Sequence, residues 1–127
     1  MPEVTRQRPK FLTLSEIRLP VPGFVSILHR VSGAGLFLLL PWLIYLFELS
    51  LNDPQAFSAY IAHPLVCLFL FGLSWAFIHH FCAGIRFLLL DVHVGVEKEQ
   101  ARASAKGVLV ISLALTALVA AKFLGVF

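Results

Sequence analysis

Residues 61–85 read IAHPLVCLFLFGLSWAFIHHFCAGI, and none of them is Asp, Glu, Lys or Arg. This uncharged run is longer than the roughly 20 residues that an α-helix needs to cross a hydrocarbon core about 30 Å thick. The whole chain has a matching composition, since 59% of its residues are hydrophobic and only 13% are charged. With a mean hydropathy of +0.89, it is too apolar for an ordinary soluble domain. The sequence therefore predicts an integral membrane protein.

Two further apolar runs predict two more membrane spans. Residues 31–47 are uncharged, and the helix gains length if it extends back through residues 24–28. Residues 107–127 are interrupted only by Lys122, whose long side chain can snorkel toward water. We expect an all-α fold in one membrane-anchor domain, residues 1–127, with a cytoplasmic segment at about 1–22 and helices at about 24–49, 61–90 and 105–126. Three spans leave no room for a soluble catalytic domain, so any chemistry takes place in the membrane or on a partner subunit.

The loops indicate the orientation in the membrane. Lys and Arg flank the first span on its N-terminal side and lie between the second and third spans, but residues 50–60 have none. These basic residues are Arg6, Arg8, Lys10, Arg18, Lys98, Arg102 and Lys106. By the positive-inside rule the N-terminus is cytoplasmic and the C-terminus periplasmic, in a bacterial inner membrane. The same distribution accounts for a pI of about 9.2 without a nucleic-acid surface.

Titratable side chains within the apolar runs are the candidate functional residues. Such groups are costly at membrane depth, so each is a functional hypothesis with a partner to be found. The second span carries His79, His80 and Arg86 and ends near Asp91. Gly84 lies one helical turn after His80 on the same face, and we interpret its missing side chain as room for a flat ligand close to the backbone.

The directions of the first two spans bring further polar groups to the same depth. The first span leaves the cytoplasm near Ser26, His29 and Arg30, and the second returns to it through His80 and Arg86. At 1.5 Å per residue, His80 lies about 9 Å deeper than Arg86. We therefore expect one shared polar site on the cytoplasmic side of the membrane.

These side chains fit three ligands of a redox membrane subunit. A neutral imidazole supplies a lone pair to haem iron, Arg and His neutralise propionates, and a serine hydroxyl donates to a quinone carbonyl. Simpler interpretations stay open. A membrane histidine often only hydrogen-bonds a neighbouring helix, Arg30 or Arg86 can snorkel, and Gly33 and Gly35 can serve helix packing alone.

Two separated motifs carry a resemblance to a known family. The first is SILHRVSG at residues 26–33, and the second is HFCAGIR at residues 80–86, followed by Asp91. Smaller matches are Arg8-Pro9, IRLP at residues 17–20 and Lys106 before the third span. Together they make the chain similar to the cytochrome b membrane-anchor subunit of succinate dehydrogenase. The resemblance covers nearly the whole chain, although the first loop and the third span contribute only hydrophobic length.

The resemblance implies one part of a larger complex. A flavoprotein subunit with FAD would oxidise succinate, an iron-sulfur subunit would carry the electrons, and ubiquinone would be reduced where that subunit meets the membrane anchors. This reaction belongs to the tricarboxylic acid cycle and aerobic electron transport. No residue of this chain is expected to contact succinate.

The resemblance also implies roles for individual residues. His80 matches an axial ligand of haem b iron, and a second, smaller anchor subunit would supply the other ligand. His29 and Arg30 match groups near the haem propionates, while Ser26 and Arg30 match the serine and arginine of the quinone site. Asp91 would relay protons to the reduced quinone, although an ion pair of Asp91 with Arg86 or with a partner is an alternative.

The chain departs from the family at one position and is ambiguous at another. Many relatives have histidine directly after the arginine of Gly-Ile-Arg, whereas this chain has Phe87. His79 precedes His80, and adjacent helical residues point about 100° apart, so only one of them can face a given haem. We favour His80, with His79 facing another helix or a propionate.

Three other functions fit the same architecture. The anchor of a fumarate reductase would work in the reverse direction, which depends on the quinone potential and on partner subunits. A cytochrome b with both ligands in one chain would pair His29 with His80. A non-catalytic membrane scaffold or transporter component would need neither haem nor quinone.

Overall fold

The structure is a computed structural model that describes residues 17–127. Within this range the chain forms α-helices and no strands: α1 (Val21–Asn52), α2 (Pro54–Ile61), α3 (Pro64–Asp91) and α4 (Lys98–Phe123). The helices α1, α3 and α4 are each long and apolar enough to cross a membrane. The expected all-α membrane fold is therefore confirmed. Arg6, Arg8, Pro9 and Lys10, which the predictions of orientation and family used, lie outside the described residues.

Prolines and polar caps mark where the helices begin. α1, α2 and α3 each have proline in the first turn, where its missing N–H has no helical partner to lose. Asp53 caps α2 by accepting a hydrogen bond from the backbone N–H of Ala56 at 3.0 Å. His63 caps α3 by accepting one from Leu65 at 3.3 Å. At the other end of α3, exposed His93 takes a left-handed φ of 62° in the turn toward α4.

The short helix α2 is an element that the apolar runs do not predict. Its 8 residues lie in the connection between α1 and α3. Trp42 of α1 donates a hydrogen bond from Nε1 to the hydroxyl of Tyr60 in α2 at 3.2 Å. The ring of Trp42 also meets Phe69 of α3 edge-on, with ring centroids 6.5 Å apart. Trp42 therefore links the connection to both neighbouring spans.

The helix α4 extends well beyond the apolar run that predicted it. It begins at Lys98, about two turns before the expected start near residue 105. These first turns are polar, and Glu99 and Arg102 form an ion pair within them at 3.6 Å. Hydropathy reports the length of helix inside the membrane, so a polar extension outside it leaves no signal.

The interior of the bundle is small and lies at the end where α1 and α4 begin and α3 ends. Its apolar centre consists of Val25, Ala83, Ala105 and Val108. Four polar side chains are also buried by this chain alone: Ser32, His79, Arg86 and Ser112. Most large apolar side chains of the spans are exposed, as befits surfaces that lipid or other helices cover.

Candidate functional site

His29 of α1 and His80 of α3 are in direct contact. Their rings stack with centroids 4.1 Å apart and planes only 7° from parallel. A glycine on each helix lies beside the histidine of the other, and at Gly33 the absence of a side chain makes room for the ring. A Cβ at Gly33 would lie 2.7 Å from Cε1 of His80, and a Cβ at Gly84 would lie 3.7 Å from Nε2 of His29. The structure thus brings together two histidines that the sequence placed at one depth.

These contacts show what lies beside each glycine. Gly33 admits the ring of His80, whereas a Cβ at Gly35 would meet nothing within 4 Å. Beside Gly84, Nε2 of His29 would lie at an ordinary contact distance of 3.7 Å from a Cβ, so the interpretation of this glycine as room for a flat ligand stays a prediction. Sequence spacing could not say which side chain lies beside each glycine.

Hydrogen bonds hold the ring of His80 by one of its two nitrogens. Nδ1 lies 3.0 Å from the backbone carbonyl oxygen of His29 and 3.3 Å from Oγ of Ser32. A carbonyl oxygen only accepts hydrogen bonds, so Nδ1 carries the hydrogen. In the neutral ring the second nitrogen, Nε2, then keeps a lone pair that can bind a metal.

Ser32 belongs to the site and was not identified from the sequence. Its hydroxyl donates to the carbonyl of His29 at 3.0 Å, and the side chain is buried. One signal was present, because Ser32 follows His29 by three residues and so shares its helix face. Which neighbour that face meets depends on helix packing, which spacing alone does not provide.

His79 and His80 have different environments. His79 is completely buried, and neither of its ring nitrogens has a hydrogen-bond partner among the described residues. The backbone of Val25 lies beside the ring but not in hydrogen-bond geometry. The ring stacks on Trp75 with centroids 5.1 Å apart. His80 is only partly buried, so of the two it is the residue that a ligand from outside this chain can reach.

The stacking of His29 on His80 disfavours a haem held by this chain alone. The lone pair of an imidazole nitrogen lies in the plane of its ring, so two parallel stacked rings cannot point at one iron from opposite sides. Within residues 17–127, no three His, Cys, Asp or Glu side chains are grouped to hold a metal ion. Any metal at Nε2 of His80 therefore needs ligands from outside the described chain.

Ser26 and Arg30 form a second polar group on α1. Arg30 donates a hydrogen bond from one terminal nitrogen to Oγ of Ser26 at 3.3 Å. Arg30 is exposed and Ser26 is partly buried. Because the hydroxyl accepts from Arg30, its own hydrogen stays available to another acceptor. The pair therefore presents an O–H donor and a cation to whatever lies against this face.

Arg86 is buried and does not snorkel. Its Nε donates to Oγ of Ser104 at 2.9 Å, and a terminal nitrogen donates to the carbonyl of Ala101 at 3.1 Å. These bonds tie the end of α3 to the start of α4. The suggested ion pair between Arg86 and Asp91 is absent: the ion pair found within residues 17–127 joins Arg102 to Glu99, and Asp91 is exposed.

Phe87, which follows Arg86 on α3, packs beside His29. Its ring centroid lies 5.1 Å from that of His29 and 5.4 Å from Cζ of Arg86. An apolar ring at this place supports the orientation of His29 by packing, and it offers no charge or hydrogen bond to a ligand.

Comparison with known proteins identifies the family of this chain. Residues 4–119 match the family described as succinate dehydrogenase/fumarate reductase transmembrane subunit. The chain belongs to this family. The family resemblance predicted from SILHRVSG and HFCAGIR is thereby confirmed for the transmembrane subunit.

Several curated relatives of this transmembrane subunit carry the name succinate dehydrogenase cytochrome b556 subunit. The one from Paracoccus denitrificans is 32% identical over 126 residues, covering 93% of this chain and 94% of the relative. The one from Rickettsia prowazekii is 32% identical over 119 residues, covering 91% and 93%. The one from Coxiella burnetii is 32% identical over 112 residues, covering 84% and 88%. The similarity therefore extends over most of this chain and most of each relative.

Proposed function

We propose that this chain is the haem b-binding membrane anchor of a succinate dehydrogenase and that it helps to form the site of ubiquinone reduction. The observation that carries the proposal is the position of His80, which is only partly buried and whose Nδ1 is held by hydrogen bonds, so that Nε2 is the nitrogen left to bind a metal. The name cytochrome b556, which its relatives bear, supports haem b as the ligand.

The residues present fit haem b as a shared cofactor. His80 would bind the iron through Nε2, and a second, smaller anchor subunit would supply the other ligand. The stacking of His29 on His80 supports this division, because the two cannot ligate one iron together. His29 and Arg30 would face the propionates, where Arg30 has donors left after its single hydrogen bond to Ser26.

Ser26 and Arg30 would bind the quinone. The haem, when bound, would hold an electron close to this site. Ser26 would donate its hydroxyl hydrogen to a quinone carbonyl, since its oxygen already accepts from Arg30. The permanent charge of Arg30 would favour negative charge developing on that oxygen during reduction. The two groups are preorganised, because their hydrogen bond lies within one helix turn of α1.

Asp91 would deliver protons to the reduced quinone. It is the last residue of α3 and is exposed, and among residues 17–127 no ion pair holds it. An unpaired carboxylate at the end of a span is able to exchange protons with water and pass them inward. Its position suits the cytoplasmic side that the loops predict.

The remaining assignments follow from membership of the family. A flavoprotein subunit with FAD and an iron-sulfur subunit would supply the electrons, and the complex would lie in a bacterial inner membrane with the N-terminus of this chain in the cytoplasm. The family description covers fumarate reductases as well, so an anchor working in the reverse direction is the second candidate. The relatives' name favours succinate oxidation.

A reduced-minus-oxidised optical spectrum of the purified complex tests the haem assignment. We expect His80→Ala to abolish the b-type band while the partner subunits still co-purify. His79→Phe is the matched control, because the nitrogens of His79 are enclosed and unpaired and an aromatic ring can still stack on Trp75. A band that survives in His80→Ala but not in His79→Phe would transfer the ligand role to His79. A wild-type complex without any haem would favour a scaffold.

A further inference from the structure

Ser32 is a buried polar residue that the proposed function leaves without a role. It is only 5% exposed, and burying a hydroxyl is costly unless it forms hydrogen bonds. Its Oγ has two polar neighbours, one on α1 itself and one across the contact with α3. The carbonyl oxygen of His29 lies at 3.0 Å, and Nδ1 of His80 lies at 3.3 Å.

The single hydrogen of the Ser32 hydroxyl determines which group donates in each of these two contacts. That hydrogen is donated to the carbonyl of His29, which leaves only lone pairs on Oγ to face His80. Nδ1–H of His80 therefore donates to two acceptors, the oxygen of Ser32 and the carbonyl of His29. This arrangement would be lost if the hydrogen moved to Nε2, so it selects the tautomer in which Nε2 has a free lone pair.

We infer that Ser32 is a positioning residue that holds His80 in the tautomer and orientation needed to bind haem iron, and that it lowers the reduction potential of that haem. The inference rests on the proposed role of His80 as haem ligand. Acceptors for the distal N–H of a ligating histidine make the imidazole a stronger base. A more basic ligand stabilises oxidised iron more than reduced iron, because the oxidised iron carries the greater positive charge.

The test compares three variants of the complete complex by redox titration of the b-type band. Ser32→Ala removes one acceptor but leaves the carbonyl of His29, so the haem should stay bound at a higher potential. We expect the preference for oxidised over reduced iron to fall about tenfold, the lower end of typical effects of such outer partners. For a one-electron couple this corresponds to a rise of about 59 mV. Ser32→Thr keeps a hydroxyl and should return the potential toward the wild-type value.

Ser112→Ala is a matched control. Ser112 is also a buried helical serine, and its hydroxyl donates to the carbonyl three residues earlier, Leu109, at 3.1 Å. It makes no hydrogen bond to a histidine among residues 17–127. We expect Ser112→Ala to leave the haem potential unchanged, so that a shift in Ser32→Ala alone identifies the contact with His80.

The outcomes separate this inference from the proposed function. An unchanged potential and haem content in Ser32→Ala, together with loss of haem in His80→Ala, overturns the role of Ser32 and leaves haem ligation standing. Retention of haem in His80→Ala overturns both. If Ser32→Ala loses the haem entirely, retention in Ser32→Thr supports positioning through the hydroxyl, and loss in both variants assigns Ser32 to packing and refutes the inference.

Discussion

Substitution of alanine for Gly33 tests whether the contact between α1 and α3 is built around the ring of His80. The new Cβ would lie 2.7 Å from Cε1 and 3.1 Å from Nδ1 of that ring. The ring has little freedom to move away, because it is stacked on His29 and held through Nδ1 by two hydrogen bonds. Gly35→Ala is the matched control, since a Cβ there meets nothing within 4 Å.

The size of the effect follows from the distances. Ordinary contact begins near 3.4 Å, so the ring must retreat by about 0.7 Å, more than the roughly 0.5 Å within which a metal or catalytic group is normally held. Such a retreat breaks the 3.3 Å contact with Ser32. Overpacking at residue 33 lowers the free energy of unfolding by about 1–3 kcal/mol. In both variants the change from glycine to alanine raises it by about 1 kcal/mol through helix propensity. Gly33→Ala should therefore be up to about 2 kcal/mol less stable, and Gly35→Ala neutral or slightly more stable.

Haem content per purified complex is the deciding measurement, read from the optical spectrum. We expect Gly33→Ala to lose at least about tenfold in haem affinity while its partner subunits remain associated. Gly35→Ala should retain full haem. If Gly33→Ala binds haem as the wild type does, with an unchanged spectrum, then the gap at residue 33 does not serve the placement of His80 and the reasoning is wrong.

Four further substitutions test other contacts. Arg30→Leu should lower ubiquinone reduction by roughly 10- to 100-fold and Ser26→Ala by up to about tenfold, because the first variant loses a charged hydrogen-bonding group and the second a neutral one. Succinate oxidation coupled to an artificial dye should stay constant in both variants. Intact quinone reduction in both would refute the quinone assignment. Arg86→Ala should lower the free energy of unfolding by about 3 kcal/mol, because its hydrogen bonds to α4 are lost. The measurement is the thermal midpoint of the complex, and an unchanged midpoint would contradict the role of Arg86 in joining α3 to α4. Gly84→Ala should keep its haem, because its Cβ meets His29 at an ordinary 3.7 Å; a loss equal to that in Gly33→Ala would show that any added methyl group disrupts the contact.

The membrane spans could be predicted from the sequence because length and lack of charge are local properties. The short helix α2 and the polar start of α4 could not be predicted in that way. α2 has 8 residues, too few to show a period, although Asp53 before Pro54 is a recognisable start signal. The first turns of α4 lie in water, where hydropathy carries no information about helix length.

The depth of the candidate site residues in the membrane could be predicted from the sequence, but the faces on which the helices meet could not. Helix direction placed His29 level with His80, since antiparallel spans and a fixed rise per residue determine depth. Which face of each helix meets the other depends on packing of side chains far apart in sequence. That is why Ser32 was missed, and why the enclosed position of His79 and the bonds of Arg86 to Ser104 required the structure.

The proposed function would make this chain depend on a partner. His80 is only partly buried and Arg30 is exposed, and the buried interior is small. A cation at membrane depth is costly unless something pairs with it, and His80 would be one ligand of a haem whose other ligand comes from a second anchor subunit. On that proposal, docking of the second subunit with its cofactor would meet both needs in one event. Binding the cofactor and assembling the membrane domain would then be thermodynamically coupled, because each stabilises the state that the other requires.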